Sequence, residues 1–234
     1  MEPGQLIRSL FPDGDDIIFD GDFFAGVGRN GGQDVAVLGT RGGVYIGVEL
    51  ALRMAGMVLD VVRDHPGRPI LLLVDTKGQR PSRRDELLGI NGYMAHLAKC
   101  LDLARRKGHR TIGLVWSEAV SGGFLASSLL AEACYALPGA QVRVMNLPAM
   151  SRVTKIPLER LEVLSASNPV FAPGVENYRR MGAIRSFWQG DLARCLADAL
   201  AEPAGPDRRR ADGLLREGRL LAAGVADRVR HDPV

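Results

Sequence analysis

Two apolar stretches stand out in the pattern of hydrophobic and polar positions along the chain. Residues 69–76 are apolar almost throughout, which is typical of a parallel strand covered on both faces. Residues 111–116 form a second apolar run that is rich in strand-forming residues. Each run is followed by a polar or glycine-containing turn and then by a segment with helical character. The repeated order of strand, turn and helix predicts an α/β fold.

The other segments extend this prediction to the whole chain. Helices are predicted at residues 5–10, 48–62, 85–107, 151–164, 174–181, 191–201 and 212–230. Strands are predicted at residues 16–24, 34–39, 133–137 and 141–146. The glycine-rich residues 26–32 match neither phosphate-loop template, and a hairpin loop is predicted there. No repeat or linker divides the sequence, so we expect one domain over residues 1–234.

Composition and charge narrow the classes of function. Hydrophobic residues make up 46% and charged residues 24% of the 234 residues, which is the balance of an ordinary globular protein. The net charge is only +3, and the basic residues form no stripe of the kind that binds nucleic acid. The N-terminal sequence lacks a signal-peptide pattern, and no apolar run reaches the roughly 18 residues of a membrane span. We therefore expect a cytoplasmic protein that binds no nucleic acid and has no membrane span.

The cysteines and histidines indicate neither a disulfide framework nor a metal site. The three cysteines are widely spaced, odd in number and without a C-x-x-C pair. The four histidines show no metal-ligand spacing. A reducing compartment and a site without a metal are expected.

The turn Ser121-Gly122-Gly123 lies between a predicted strand and a predicted helix. Amides at the start of a helix lack intrahelical partners, and glycine lets a ligand approach the backbone closely. The turn is therefore a candidate site for an anion or an oxyanion. On this interpretation, a side chain at Gly123 blocks the ligand and spares the fold. In the alternative interpretation the glycines are a packing device and Ser121 is an ordinary helix cap.

A second polar turn, residues 77–81, follows the other buried strand. In α/β folds, ligands gather at the carboxyl ends of parallel strands. Four cations lie at the entrance of the following helix, and each costs about 0.3 to 1 kcal/mol when exposed. They are Lys77, Arg80, Arg83 and Arg84. One interpretation is that they attract a carboxylate or an acidic carrier. The other is a solvated basic loop.

Three segments in this order resemble a known family: residues 69–78, residues 115–123 and residues 135–140. They resemble the alpha half of acyl-CoA carboxyltransferases of the crotonase superfamily, and most of all the gamma subunit of biotin-independent malonate decarboxylase. Biotin-dependent relatives tend to have a more glycine-rich approach to the Gly-Gly pair than Glu118-Ala119-Val120. That departure favours the decarboxylase.

The resemblance implies a fold and a reaction. The fold would be an α/β, crotonase/ClpP-like spiral of β-β-α units with flanking C-terminal helices. The chain would work with a beta-type subunit, and only in that pair, to decarboxylate a malonyl thioester to an acetyl thioester and CO2. An acyl carrier subunit would present the thioester on a coenzyme-A-like arm, and no cofactor would be bound covalently. No metal or nucleophile would be needed, because backbone donors stabilise the enolate.

The two turns and the resemblance together give candidate roles for individual residues. The catalytic backbone amides would be those of Gly78, Gly122 and Gly123. The substrate-binding residues would be Lys77, Gln79, Arg83, Arg84 and Ser121.

Three alternatives use the same residues differently. One is an alpha-type subunit of a biotin-dependent acyl-CoA carboxyltransferase. Another is a serine hydrolase with Ser121 or Ser117 as nucleophile, His96 or His109 as base and Asp75 as the orienting carboxylate. The nucleophile-elbow pattern would require glycine at position 119, where this chain has alanine. The third is a scaffold subunit without catalytic groups, which completes the pocket of its partner.

Overall fold

An eight-stranded sheet organises the computed structural model, which describes residues 1–167, 173–203, 205–218 and 221–231. The strands are β1 (Ile18–Asp20), β2 (Phe23–Asn30), β3 (Gln33–Thr40), β4 (Val44–Ile46), β5 (Ile70–Gln79), β6 (Thr111–Val120), β7 (Ala133–Ala136) and β8 (Gln141–Arg143). The first helices are α1 (Pro3–Leu10), α2 (Val48–Asp64), α3 (Arg83–Leu87), α4 (Ile90–Arg106) and α5 (Ser121–Leu125). The later helices are α6 (Leu147–Thr154), α7 (Leu158–Ser167), α8 (Val175–Arg180), α9 (Leu192–Ala201), α10 (Arg209–Leu215) and α11 (Ala222–His231).

The sheet has the order β1-β2-β3-β5-β6-β7. The β1, β2 and β3 strands pair antiparallel, whereas β3, β5, β6 and β7 pair parallel. The short strands β4 and β8 pair with the carboxyl-terminal parts of β5 and β6. The two ten-residue strands β5 and β6 therefore run from the main sheet into a second, smaller set of pairings. This arrangement agrees with the predicted α/β class.

Helices cover both faces of the sheet, which explains why the β5 and β6 sequences are apolar on both sides. Ile70, Leu72 and Val74 belong to a core that includes residues of α2 and α4. Leu71 and Leu73 point the other way, into a core with residues of α1 and α9. None of the helices in the described part combines the length and the apolar character that a membrane crossing requires.

The glycine-rich residues 26–32 are mostly strand, which corrects the predicted hairpin loop. Only Gly31 and Gly32 form the turn, with φ of +60° and +75°, between β2 and β3. Gly28 lies within β2, and Phe11 packs directly on it. Glycine is needed at this position because an added Cβ would lie 2.4 Å from the Phe11 ring. The predicted strand at 16–24 is likewise divided by a turn between β1 and β2.

Other predicted elements are present with different bounds. The helix predicted at 85–107 is two helices, α3 and α4, separated at Gly89, which has a left-handed φ of +77°. The β5 and β6 strands continue beyond the predicted ends at residues 76 and 116. They continue because β4 and β8 supply pairing partners there, a tertiary contact that apolar periodicity does not report.

In the helical C-terminal part, the helices predicted at 174–181 and 191–201 are present within one residue of their bounds, and two others are divided. The helix predicted at 151–164 is divided into α6 and α7 around Pro157, which has no backbone N–H to donate. The helix predicted at 212–230 is divided into α10 and α11. Glu217, with a left-handed φ of +56°, follows the end of α10. Gly218 packs against the Arg180 carbonyl, and an added Cβ would lie only 2.2 Å from that oxygen. The strand predicted at 141–146 ends at Arg143.

Candidate functional site

The carboxyl ends of β5 and β6 meet through a bulge. Val74 pairs with Val115, but Thr76 pairs with Ala119, so that β6 contains two more residues than β5 over this interval. A bulge bends its strand and redirects the side chains around it. The bulge therefore carries the end of β6 towards the end of β5.

Asp75 holds the bulge in place. Its side chain is buried, and its two carboxylate oxygens accept hydrogen bonds from the amides of Gly43 at 3.0 Å and Glu118 at 3.2 Å. Its own amide donates to the Thr40 hydroxyl at 3.0 Å. A buried carboxylate is satisfied in this way by hydrogen bonds rather than left unpaired. Asp75 thus links β5 to the β3–β4 turn and to the bulge of β6.

Gly78 approaches the turn after β6. The Thr76 hydroxyl donates to the Val44 carbonyl at 2.7 Å and accepts from the Gly78 amide at 3.0 Å. Gly78 has a φ of +104°, a conformation that favours glycine. A Cβ there would lie 3.1 Å from the Val120 carbonyl oxygen and 3.2 Å from the Ser121 Cβ. The backbone conformation therefore favours glycine at position 78, and the space for a side chain there is tight.

The Ser121-Gly122-Gly123 turn packs directly on this segment. Ser121 has a left-handed φ of +49°, which is uncommon for a residue with a side chain. The Gly122 amide donates to the Gln79 side-chain oxygen at 3.0 Å. Gly123 is buried against Gly78, and an added Cβ would lie 2.9 Å from the Gly78 Cα. The structure thus brings together five of the predicted site residues.

The three predicted backbone donors differ in their present partners. The Gly78 amide donates to Thr76, and the Gly122 amide donates to Gln79. The Gly123 amide has no acceptor among the hydrogen bonds of the described residues. A substrate oxygen would therefore have to replace the exposed Gln79 side chain to reach the Gly122 amide.

The predicted basic residues do not form one cluster. The Lys77 side chain is exposed and passes over Gly43. Arg84 forms an ion pair with Glu49 of α2 at 2.5 Å. Arg83 is exposed and has no ion pair within the part of the chain that the structure describes. Of the two adjacent arginines, Arg83 is thus the one available to an incoming anion.

Comparison with known proteins identifies the family. The family model described as malonate decarboxylase gamma subunit matches residues 41–233, which include both turns. The chain belongs to the malonate decarboxylase gamma subunit family. The predicted family and the predicted class of activity, a subunit of a complex that decarboxylates malonyl thioesters, are thereby confirmed.

Relatives of known sequence and structure agree with this family. The malonyl-S-ACP:biotin-protein carboxyltransferase MADD of Malonomonas rubra is 32% identical over an alignment of 202 residues. The alignment covers 77% of this chain and 69% of the relative. A Pseudomonas malonate decarboxylase hetero-tetramer in complex with coenzyme A contains a chain with a TM-score of 0.80 at 27% identity, with 97% of this chain and 98% of that chain covered. The Pseudomonas MdcD-MdcE hetero-dimer contains one with a TM-score of 0.74 at 27% identity, with 97% of both chains covered.

A more distant likeness shows the fold alone. A chain of the transcarboxylase 12S hexamer has a TM-score of 0.68 at 20% identity, and the likeness covers 86% of this chain and 41% of that chain. Together with the malonate decarboxylase structures, it confirms the predicted crotonase-type fold with flanking helices.

Among the described residues of this gamma subunit family member, the candidate histidines and Asp75 form no catalytic triad with Ser121. His109 is buried before the start of β6 and is bonded through Nδ1 to the Arg68 carbonyl at 2.9 Å. The ten residues of β6 place it about 30 Å from Ser121 at the ordinary rise per residue. His96 is exposed on α4, where it contacts Cys100. The proposed orienting residue, Asp75, uses its oxygens for backbone amides.

Sequence reasoning missed an ion pair beside the turn. Glu118, in the bulge of β6, pairs with Arg143 of the neighbouring strand β8, and both side chains are largely buried. In the sequence, Glu118 stands out only as a departure from the glycine-rich pattern of biotin-dependent relatives. No local signal links it to a residue 25 positions later. Within the described residues there is no group of three or more side chains that could hold a metal ion.

Asp85 is a second structural carboxylate near the site, and it connects α3 to α2. It is buried, and its Oδ1 accepts from the Val48 amide at 2.9 Å, which caps the amino end of α2. The hydrogen bond from the Ser82 hydroxyl, followed by the bond from Val48, lowers the pKa of Asp85, although burial acts in the opposite direction.

The lowered pKa of Asp85 predicts an acid-sensitive contribution to stability. A group with a folded pKa below its unfolded value stabilises the fold above the unfolded pKa of about 3.9, and this contribution is lost as the pH falls through the folded value. Asp85→Asn should therefore lower the melting temperature at pH 7 and flatten its decline between pH 5 and pH 3. Thermal melts across this range test the prediction, with Asp60→Asn on exposed α2 surface as the control. An acid decline as steep as that of the wild type would contradict it.

Proposed function

We propose that the chain works as the gamma subunit of a malonate decarboxylase and is active only with a beta-type subunit. The family match over residues 41–233 supports this, as does the likeness to the MdcD-MdcE hetero-dimer over 97% of the chain. The proposed substrate is a malonyl thioester on the coenzyme-A-like arm of an acyl carrier subunit. The relative MADD, whose name specifies malonyl-S-ACP, and the neighbour solved with coenzyme A support a thioester of this type. We propose no covalently bound cofactor for this chain.

The chemistry requires donors and orientation. When the bond between the carboxylate and the α-carbon breaks, CO2 leaves and the electron pair forms an enolate whose charge lies largely on the thioester oxygen. A donor placed at that oxygen stabilises the transition state more than the ground state. A proton then adds to the α-carbon and gives the acetyl thioester. A site that fixes the carboxylate and presents backbone amides can therefore catalyse the reaction.

The observation that carries the proposal is the contact between Gly78 and the Ser121-Gly122-Gly123 turn. The Gly122 amide donates to the Gln79 side chain, and Gly123 packs on Gly78, at the carboxyl ends of parallel strands, where α/β proteins bind ligands. We infer that the Gln79 side-chain oxygen marks the position of a substrate oxygen. When substrate binds, that oxygen replaces the Gln79 oxygen as the acceptor for the Gly122 amide.

Biotin-dependent carboxyl transfer is the second candidate. The 32% identity to MADD, a biotin-protein carboxyltransferase, favours it. In that reaction the carboxyl group passes to biotin, whereas in direct decarboxylation it leaves as CO2. Glu118 supports direct decarboxylation, because a charged residue held in an ion pair with Arg143 stands where biotin-dependent relatives tend to be richer in glycine.

Reconstitution tests the proposed division of labour. The purified chain, the beta-type subunit and their mixture would each be given a malonylated acyl carrier, and CO2 release would be measured. We expect each subunit alone to be nearly inactive and the mixture to be active. Robust decarboxylation by the isolated chain would contradict the shared site. A mixture that binds but stays inactive with every malonyl thioester would contradict the proposed reaction.

The two adjacent arginines provide a matched prediction about substrate attraction. Arg83→Ala should raise the KM for the malonylated carrier by about 2- to 5-fold and weaken its dependence on salt, as expected for loss of an exposed ionic contact. Arg84→Ala should have a smaller effect, because Arg84 is already paired with Glu49. Steady-state kinetics at low and at high salt compare the two variants. If both variants have the wild-type KM at low salt, the two arginines belong to a solvated loop and do not attract the substrate.

A further inference from the structure

Helix α11 exposes an apolar face. Leu221, just before the helix, and Val225 and Val229 within it recur every fourth residue, and they are 80%, 47% and 78% exposed. Side chains at this spacing lie on one face of a helix. The helix has ten residues, none of them buried. A helix of this length is only marginally stable in water on its own, so a partner that covers this face would stabilise α11.

Helix α10, the preceding helix in the chain, exposes two more leucines. Leu214 and Leu215 are 43% and 83% exposed. A groove of about 330 Å³ lies between the two helices, with Leu214, Met181, Ala222 and Ala226 among its walls. We call Leu214, Leu215, Leu221, Val225 and Val229 the C-terminal apolar face. Exposed apolar patches of this kind mark surfaces that another molecule covers.

The surroundings of this face are basic. Residues 206–231 contain seven arginines and four acidic residues, and their excess of three positive charges equals the net charge of the whole chain, +3. Asp227 is shared by Arg210 at 3.8 Å and Arg230 at 3.6 Å, so the arginines outnumber the acids there too. An apolar centre with a charged rim is the usual anatomy of a protein interface, in which arginine is enriched. The complementary surface would be apolar with an acidic rim.

We propose that the C-terminal apolar face binds the beta-type subunit. The inference rests on the proposed function, because that function supplies the beta-type partner. A hetero-dimer is also the assembly of the Pseudomonas MdcD-MdcE neighbour. Stable interfaces bury about 800 Å² on each side, and obligate ones are the more hydrophobic. Five large apolar residues kept in water are therefore suited to a partner that stays bound, rather than to a carrier that must come and go. A second copy of this chain is the rival occupant.

The test measures binding and not turnover. Leu221→Asp combined with Val225→Asp should weaken the complex with the beta-type subunit by at least about 30-fold, the effect expected for the centre of an interface. Both side chains are exposed in the isolated chain, so its circular dichroism and thermal melt should change little. Ile18→Asp is the matched control, because Ile18 is 75% exposed on the edge strand β1. Its dissociation constant should stay within about twofold of the wild-type value.

Each outcome decides between the possible occupants. Variant and wild-type chains with equal affinity for the beta-type subunit would overturn the inference, as would an equal loss in the Ile18→Asp control. The isolated chain could also associate with itself. If the Leu221→Asp, Val225→Asp variant abolishes that self-association and leaves the hetero-complex intact, the occupant of the face is a second copy of this chain. If the wild-type chain and the beta-type subunit fail to bind at all, the proposed function fails and the inference with it. Intact binding with lost turnover would leave the proposed function standing and overturn this assignment of the interface.

Discussion

Replacing Gly122 with alanine is expected to lower kcat of the reconstituted complex about 100- to 1000-fold, the usual effect of losing one oxyanion donor. The added methyl group would lie 2.7 Å from the Gln79 side-chain oxygen, the position that we assign to a substrate oxygen. Its other near contacts also belong to Gln79, an exposed side chain that can move. Steady-state kinetics and a thermal melt should therefore show lost turnover with a nearly normal fold.

Two further variants show where the Gly122→Ala effect arises. Adding Gln79→Ala removes the side chain that the methyl group meets. If the methyl group blocks the substrate, the double variant stays inactive, whereas recovery of activity would place the defect in the Gln79 contact. Gly56→Ala on α2 is the neutral control, because an added Cβ there has nothing within 4 Å. Wild-type turnover by Gly122→Ala would make the turn a packing device and the chain a scaffold for its partner.

Valine at Gly123 is expected to destabilise the chain by about 1 to 3 kcal/mol, the usual cost of overpacking. The added Cβ would lie 2.9 Å from the Gly78 Cα and 3.0 Å from its carbonyl carbon. Both are backbone atoms, which cannot turn away as a side chain can. This corrects the expectation from the sequence that a side chain at Gly123 spares the fold.

Urea unfolding measures the effect of Gly123→Val. Gly92→Val on α4 is the control, since an added Cβ at Gly92 has nothing within 4 Å, and its free energy of unfolding should change by less than about 0.5 kcal/mol. Equal stability of Gly123→Val and the wild type would mean that the two turns are not packed together as the structure has them.

The central strands could be predicted from the sequence because burial on both faces leaves a local signature. The β5 strand sends alternate residues into two cores, so its first residues are apolar without a break. The helix over 48–62 was predicted because its apolar residues recur at helical spacing, and α2 ends at Asp64. The two turns were recognised as one site through the family resemblance. Neither turn alone distinguishes a binding site from a packing device.

The rest of the site depends on contacts between residues far apart in the chain. The bond from Gly122 to Gln79 joins residues 43 positions apart, and the Arg84–Glu49 pair joins α3 to α2. Local composition predicts neither of them. The continuation of β5 through Lys77, Gly78 and Gln79 was missed for the same reason, because β4 stabilises it. Sequence patterns therefore indicate the two turns as a candidate site, and tertiary pairing determines which of their amides and charges lack partners in the described chain.

The most direct test of the account follows the carboxyl group in the reconstituted complex. The malonyl thioester would be supplied on the acyl carrier in D2O with avidin present, and both CO2 and the thioester product would be analysed. We expect one CO2 for each malonyl group, an acetyl thioester with one deuterium in its methyl group, and a rate that avidin does not change. A reaction that avidin blocks, or a carboxyl group recovered on biotin, would contradict it.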